Sequence, residues 1–265
     1  MQQPQYEIYA LKYGERVGTR GGIFMAGDPH DAPLAMDYFV WAIRSKERTF
    51  VVDVGYGREE GERRGRTFLR CPTEALALIG IDAADVADVI ISHMHYDHAG
   101  NLELFPNARF HIQDTEMAYV TGRAMTHPHL RHSFALADVL AMVSMVYGDR
   151  VVFHDGHQAL AAGIELHPIA GHSRGLQSIT VNTARGTVVV ASDAAHYYES
   201  FESERVFNTH ENVFDMLEGY RTLRRIAASD AHIIPGHDPK VLERYPAPRP
   251  ELEGIVARVD VAPVA

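Results

Sequence analysis

Residues 92–100 read S-H-M-H-Y-D-H-A-G, placing three histidines and an aspartate between an apolar run and a glycine. Imidazole nitrogen and carboxylate oxygen are donors that suit zinc, iron and manganese. The same letters could form a histidine-rich surface turn, and one H-x-H alone carries little weight. The other histidines decide between the two. L-H-P-I-A-G-H-S supplies His172, V-V-V-A-S-D supplies Asp193 and H-I-I-P-G-H-D supplies His237. Each of these follows an apolar, strand-like run and sits in a tight turn. Strands of one sheet end near each other, so these turns can converge. Together with His93, His95, Asp97 and His98 they offer more ligands than one tetrahedral ion takes. They divide naturally between two ions bridged by a carboxylate, about 3.5–4 Å apart, as hydrolytic two-metal sites require. No thiolate is among them, which argues against a structural cysteine-type zinc site.

The elements that must position these residues are legible as a coarse pattern. Tyr6 to Tyr13 alternates and reads as a strand, and residues 14–35 read as a long loop. Residues 37–54 form a hairpin, D-Y-F-V-W-A-I-R and T-F-V-V-D-V about an S-K-E-R turn. Pro72–Ile79 has proline at its first turn and Gly80 behind it, which predicts a short helix. Val86–Ile91 and Arg109–Gln113 read as strands, and residues 114–147 turn helical. Arg150–Phe153, Ile164–Ile169, Leu176–Asn182, Thr187–Ala191 and Ala231–Ile234 read as strands again. Asn212–Ala228 is the clearest helix, with Val213, Met216, Leu217, Tyr220, Leu223 and Ile226 on one face. This order predicts an α+β chain, two stacked sheets with helices on their outer faces. It predicts one domain over residues 1–265, with a helical insertion at about 114–147 laid over one sheet edge. The Pro- and Val-rich tail is expected to run along the surface.

The formal net charge of −10 speaks against a nucleic-acid partner, which demands a basic surface. No apolar run reaches the ~18 residues of a membrane helix. The start, M-Q-Q-P-Q-Y-E, lacks the basic-then-apolar pattern of a signal peptide. The one cysteine, Cys71, reads as a small buried residue and allows no internal disulfide, which fits a reducing compartment. The expectation is a cytoplasmic protein without a membrane partner.

H-x-H-x-D-H followed by G-H-S, S-D and P-G-H-D in this order resembles the metallo-β-lactamase superfamily, over roughly residues 6–240. The resemblance implies an αβ/βα sandwich of two mostly antiparallel or mixed sheets. It implies that His93, His95 and His172 hold one divalent ion, that Asp97, His98 and His237 hold a second, and that Asp193 bridges them. Zinc is the ion expected, with iron, manganese and cobalt the others that suit the set. Asp53, in T-F-V-V-D-V-G, falls where the family keeps an aspartate that supports the ligands from behind; a plain turn carboxylate is its other reading.

Within the superfamily the chain is similar to the N-acyl homoserine lactonases, on W-A-I…T-F-V-V-D-V-G, H-Y-D-H-A-G-N, D-M-L-E-G-Y-R and P-G-H-D. That branch implies a small-molecule lactone substrate, opened by a hydroxide bridging the ions, and a homodimer. Asp97, or a water held by Asp193, would return the proton to the leaving oxygen. Those lactonases carry a substrate-binding tyrosine three residues after the bridging aspartate. Here that position is His196, whose imidazole could donate the same bond to the developing oxyanion, with Tyr197 and Tyr198 as neighbours that could reach in. Other readings stay open: hydrolysis of another lactone, cyclic amide or ester; a mononuclear iron dioxygenase of sulfur substrates; a non-catalytic metal-binding protein. His127, His129 and His132 read as solvated or hydrogen-bonded residues around a helix start at Pro128, with a pocket lining or a third metal site as the alternatives. Phe24 and Met25 could cover a substrate or pack on a partner subunit.

Overall fold

The fold was analysed in a computed structural model that describes residues 3–264. Its strands are β1 (Glu7–Thr19), β2 (Pro33–Arg44), β3 (Thr49–Val52), β4 (Thr67–Phe68), β5 (Asp88–Ile90), β6 (Arg109–Gln113) and β7 (Val151–His154), then β8 (Gln158–Ala161), β9 (Ile164–Pro168), β10 (Gln177–Thr183), β11 (Gly186–Ser192), β12 (Ile233–Pro235) and β13 (Val256–Arg258). One sheet has the order β13-β1-β2-β3-β5-β6-β7, with β4 on β1, and the other has the order β12-β11-β10-β9-β8. This is the pair of mixed sheets with flanking helices that the resemblance implied.

Strand direction explains why the ligand turns meet. β3, β5, β6 and β7 are parallel neighbours. In the second sheet β10 is antiparallel to both β9 and β11, and β12 is parallel to β11, so β9, β11 and β12 run the same way. The residues that follow β5, β9, β11 and β12 therefore leave their sheets at common edges. The two edges are tied together by Gln177, buried at the start of β10. Its side chain donates to the carbonyls of Ile91 and His111 at 2.9 and 3.1 Å, and its backbone N–H to that of Ser92 at 2.9 Å.

β2 reads as a continuous apolar run because it is flanked by strands on both sides, and residues 36–43 are all buried. Asp37, the one acid in that run, is held by Lys12 at 2.7 Å. Removing each large apolar side chain of this core from water contributes about 1.5–3 kcal/mol. The helix Val213–Ile226 forms where its 3.6-residue pattern predicts. Asn212 caps it by accepting from the Phe214 and Asp215 N–H groups, and Met216, Tyr220 and Leu223 are buried.

Three expectations need correction. Residues 14–35 are not one loop: β1 continues to Thr19, a short helix spans Arg20–Ile23, and β2 begins at Pro33. The glycines and polar residues there hid a strand that is stabilised by pairing with β2 rather than by burial on one face. The tail is not merely laid on the surface, since Val256–Arg258 adds an edge strand to β1. Phe24 and Met25 are not alike: Phe24 is buried within the chain, its backbone bridged to Phe207 and its ring packed on Tyr197, and only Met25 is exposed. Cys71 is half-buried at the start of the helix Pro72–Ala77. Helices Asp114–Val120 and Leu136–Tyr147, with shorter turns between them, occupy the segment 114–147.

β1 has a register shift between Lys12 and Gly14, a bulge that turns Tyr13 inward to donate to the Asp97 carbonyl at 2.7 Å. Gly171, just before His172, has φ +127°, and a Cβ there would meet the Met216 backbone nitrogen at 2.5 Å. Gly171→Ala should therefore cost about 2–6 kcal/mol, the sum of backbone strain and overpacking. A fall in the denaturant midpoint checks this, and an unchanged midpoint would contradict it.

Asp138, in the helix Leu136–Tyr147, has a buried carboxylate oxygen with no partner. Burial, aided by Glu60 and Glu103, pushes its pKa up from 3.8 to about 7. The folded state then binds a proton that the unfolded chain releases, so this group favours folding below the unfolded pKa and loses that contribution as pH rises through about 7. Between these two pH values the wild-type melting temperature should fall more steeply than that of Asp138→Asn; parallel curves would refute the assignment.

Candidate metal centre

The turn after β5 carries His93, His95, Asp97 and His98, the turn after β9 carries His172, and Asp193 and His237 follow β11 and β12. All seven are buried and converge. The ligand atoms of His93, His95, His172 and Asp193 lie within 4.8 Å of one another, as do those of Asp97, His98 and His237. Asp193 spans the two groups. Its Oδ2 is 3.1 Å from His172 Nε2, while its Oδ1 is 3.0 Å from His237 Nε2 and 3.4 Å from His98 Nε2.

The groups behind these residues show why the cluster suits a cation. His172 Nδ1 donates to the Thr209 carbonyl at 2.7 Å and His237 Nδ1 to the Asp37 carbonyl at 2.8 Å. His98 Nδ1 donates to Asp53 at 2.7 Å. The Ser92 hydroxyl donates to Asp53 at 2.8 Å and so is left to accept from His93 Nδ1 at 3.1 Å. With the proton held on Nδ1, each Nε2 is a bare lone pair aimed inward. His172 Nε2 then faces His93 Nε2 at only 3.1 Å, acceptor against acceptor. His98 Nε2 and Asp193 Oδ1 are buried without any hydrogen-bond partner. Divalent cations would fit such a donor set and give these lone pairs a partner.

The charge balance points the same way. Burial, reinforced by the neighbouring imidazoles, pushes the His93 and His95 pKa values well down. Burial also opposes charge on His98 and His237, yet Asp193 draws both upward. Burial likewise opposes ionisation of Asp193, but His237, His98 and their neighbours hold it well below the usual carboxylate range. Without metal, protons on His98 and His237 supply the positive charge that Asp193 demands, so protons and metal compete for this place.

The sequence reading anticipated Asp53 but not its backbone, which has φ +63°. It missed Glu116 altogether. This buried carboxylate accepts from the Met94 N–H at 2.8 Å, the Ser173 hydroxyl at 2.6 Å and the Gly175 N–H at 2.9 Å. It thereby ties the His93–His95 turn to the His172 turn. A signal existed: an acid three and four residues before Tyr119 and Val120 lies on the apolar face of its helix.

His196 lies beside the cluster, but its Nε2 is 2.8 Å from Asp193 Oδ2, and its ring stacks on Phe207 at 3.5 Å between centroids. Burial lowers its pKa to about 3, so the imidazole is neutral. The N–H expected to face a substrate is thus turned to Asp193. Tyr197 donates to the Ala35 carbonyl at 3.1 Å, and Tyr198 packs under Arg244, so neither lines the cavity. Of the three histidines near Pro128, His129 and His132 line it, and none of the three joins a metal-ligand group among the described residues. The cavity has a volume of 570 Å³.

The Metallo-beta-lactamase superfamily profile matches residues 36–241, and the chain belongs to that superfamily. It is 30% identical over 185 residues to the N-acyl homoserine lactonase AttM of Azorhizobium caulinodans, spanning 64% of each chain. It is 27% identical over 170 residues to the N-acyl homoserine lactonase AiiA of Bacillus thuringiensis subsp. kurstaki, spanning 62% of this chain and 60% of that one. The chain thus matches less than two thirds of the length of these relatives. A solved N-acyl homoserine lactone hydrolase with N-hexanoyl-L-homoserine at its catalytic metal centre superposes with a TM-score of 0.74 at 21% identity, covering 89% of this chain and 94% of the other, a likeness of fold. No helix among the described residues is long and apolar enough to cross a membrane.

Asp53→Asn isolates the support behind His98. Asparagine tolerates a left-handed backbone, so the fold should persist while the carboxylate that orients the imidazole is lost. Affinity for divalent metal should fall about 10- to 100-fold in chelator competition, and unchanged affinity would show that Asp53 is only a turn residue.

Proposed function

We propose that the chain is a dinuclear metal-dependent hydrolase that opens a lactone or closely similar cyclic ester. The observation that carries this reading is the Asp193 carboxylate, with Oδ2 facing His172 at 3.1 Å, Oδ1 facing His98 at 3.4 Å, and His237 Nε2 3.0 Å from Oδ1 and 3.2 Å from Oδ2. His93, His95 and His172 would hold one ion, Asp97, His98 and His237 the second, and Asp193 both. Zinc suits the set of imidazoles and carboxylates. Bound there, divalent ions would polarise an ester carbonyl and bring the pKa of water toward neutrality.

The protein's own residues do the rest. His196, neutral and bonded to Asp193, orients that carboxylate at the cavity wall. Asp97 lines the cavity and is placed to carry a proton to the leaving ring oxygen. Tyr13, donating to the Asp97 carbonyl, holds this turn in position. The names of the similar lactonases support a lactone as the substrate class, and the one cysteine supports a reducing, cytoplasmic setting. A homodimer is part of the same reading, on the family likeness alone.

Elemental analysis of the purified protein, paired with pH-stat hydrolysis of homoserine lactones of short and long acyl chain, tests the reading. Two equivalents of metal and acid release are expected. His95→Ala and Asp193→Ala should each lose metal and lower kcat/KM by more than about 100-fold, the upper end of what losing a supporting residue costs. Full activity in either variant would overturn the proposal. So would one equivalent of iron with oxygen uptake on sulfur substrates and no acid release.

A further inference from the structure

We propose that the substrate carries a carboxylate outside the ring that is opened, and that Arg16 and Arg66 bind it. The inference rests on the hydrolase reading and names the substrate class for that site.

Arg16 lies on β1, and Arg66 immediately precedes β4. These strands are antiparallel, with Gly14 opposite Phe68 and Glu15 opposite Thr67. Arg16 and Arg66 are the next residues beyond that ladder on the two segments, and both line one cavity. Two cations on one cavity wall repel each other unless an anion lies between them. Among the described residues neither arginine has a carboxylate within ion-pair distance. Glu15, the acid nearest in sequence, is committed to Lys12 at 2.7 Å. This occurs in a chain whose acids outnumber its basic residues by 35 to 25.

Both arginines line the cavity that holds the metal ligands. Asp97 and Asp193 are the acids that line it, and both belong to the metal cluster. The guanidinium groups are held in place yet keep donors free. Arg66 Nε donates to the Tyr96 hydroxyl at 2.9 Å and Nη1 to the Arg64 carbonyl at 2.8 Å, leaving Nη2 without a partner among the described residues. Arg16 Nε contacts Met36 Sδ at 3.2 Å, and both of its Nη atoms are likewise without partners. The Tyr96 hydroxyl in turn donates to that of Tyr38 at 3.3 Å, and the Tyr38 ring packs edge-on against His237 at 5.2 Å between centroids. The arginines therefore sit on the Asp97–His237 side of the cleft, one layer of tyrosines away from the ligands. A planar guanidinium fork anchored at one edge matches a carboxylate in geometry and charge. A neutral acyl chain would leave both cations facing it uncompensated.

The test uses the full chain loaded with metal and a matched pair of γ-butyrolactones, one with a carboxymethyl substituent and one with the corresponding primary amide. The acid should be preferred in kcat/KM by about 10- to 100-fold, the range of a charge-assisted hydrogen bond or two, mostly through KM. In Arg66→Gln and in Arg16→Gln the ratio should fall toward one, with circular dichroism and metal content reporting that each variant is folded and loaded. A wild-type ratio at or below one, or a ratio unmoved in both variants, would overturn the proposal while leaving the lactonase reading intact. If neither lactone is opened, calorimetry of the ring-opened hydroxy diacid against its monoamide decides the matter, and the lactonase reading stands or falls separately on the homoserine lactones. Tighter binding of the diacid that both variants abolish supports the arginine site, and equal binding refutes it.

Discussion

Lone pairs crowd one buried point in this protein, and the rest of the molecule is arranged to keep them there. Four imidazoles are protonated on the nitrogen that faces the scaffold, so each presents a bare Nε2 inward. Asp193 adds carboxylate oxygens to the same space. In a dry site such acceptors repel one another, and only protons or cations relieve the repulsion. The partners that fix the tautomers are therefore as much a part of the centre as the ligands. Asp53 and Ser192 hold left-handed backbones at strand ends beside it, with φ of +63° and +46°. Non-glycine residues adopt that conformation where the surrounding structure compels it, and such strain gathers at functional sites.

The scaffold supplies that compulsion by strand direction. Three parallel-running strands of the second sheet and the β3–β5 pair of the first discharge their turns at one joint edge. Gln177 ties the two sheets together there with hydrogen bonds to Ile91, Ser92 and His111. Glu116 does the same between two ligand turns with a single carboxylate. Each of these buried polar side chains has its hydrogen bonds satisfied by groups distant in sequence. The ligand geometry thus depends on tertiary contacts rather than on any one turn.

The wall of the cleft that faces the ligands is built differently. It comes from β1, from the segment around β4 and from the helical stretch containing His129 and His132. The candidate ligands and much of the wall that faces them thus come from different parts of the chain. The chain's overall negative charge says nothing about this wall, because the field inside a cleft is set by its own lining.

The candidate metal ligands stand out in sequence because each sits in a short turn behind an apolar strand, a local pattern that needs no knowledge of pairing. The central strands and the helix Val213–Ile226 were legible for the same reason, their periodicity being written in consecutive residues. The second half of β1, the edge strand Val256–Arg258 and β8 were not. Their residues favour no strand on their own, and pairing with a neighbour decides them. Glu116, the inward turn of His196 onto Asp193 and the Arg16–Arg66 pair were hidden for a further reason. Each depends on groups tens of residues apart or on which way a side chain turns, which local pattern does not encode. Local sequence is enough to name the candidate donor atoms and the order in which they occur. Which lone pairs face inward and what charge lines the cleft follow from tertiary contacts, because both are set by segments that the chain brings together only on folding.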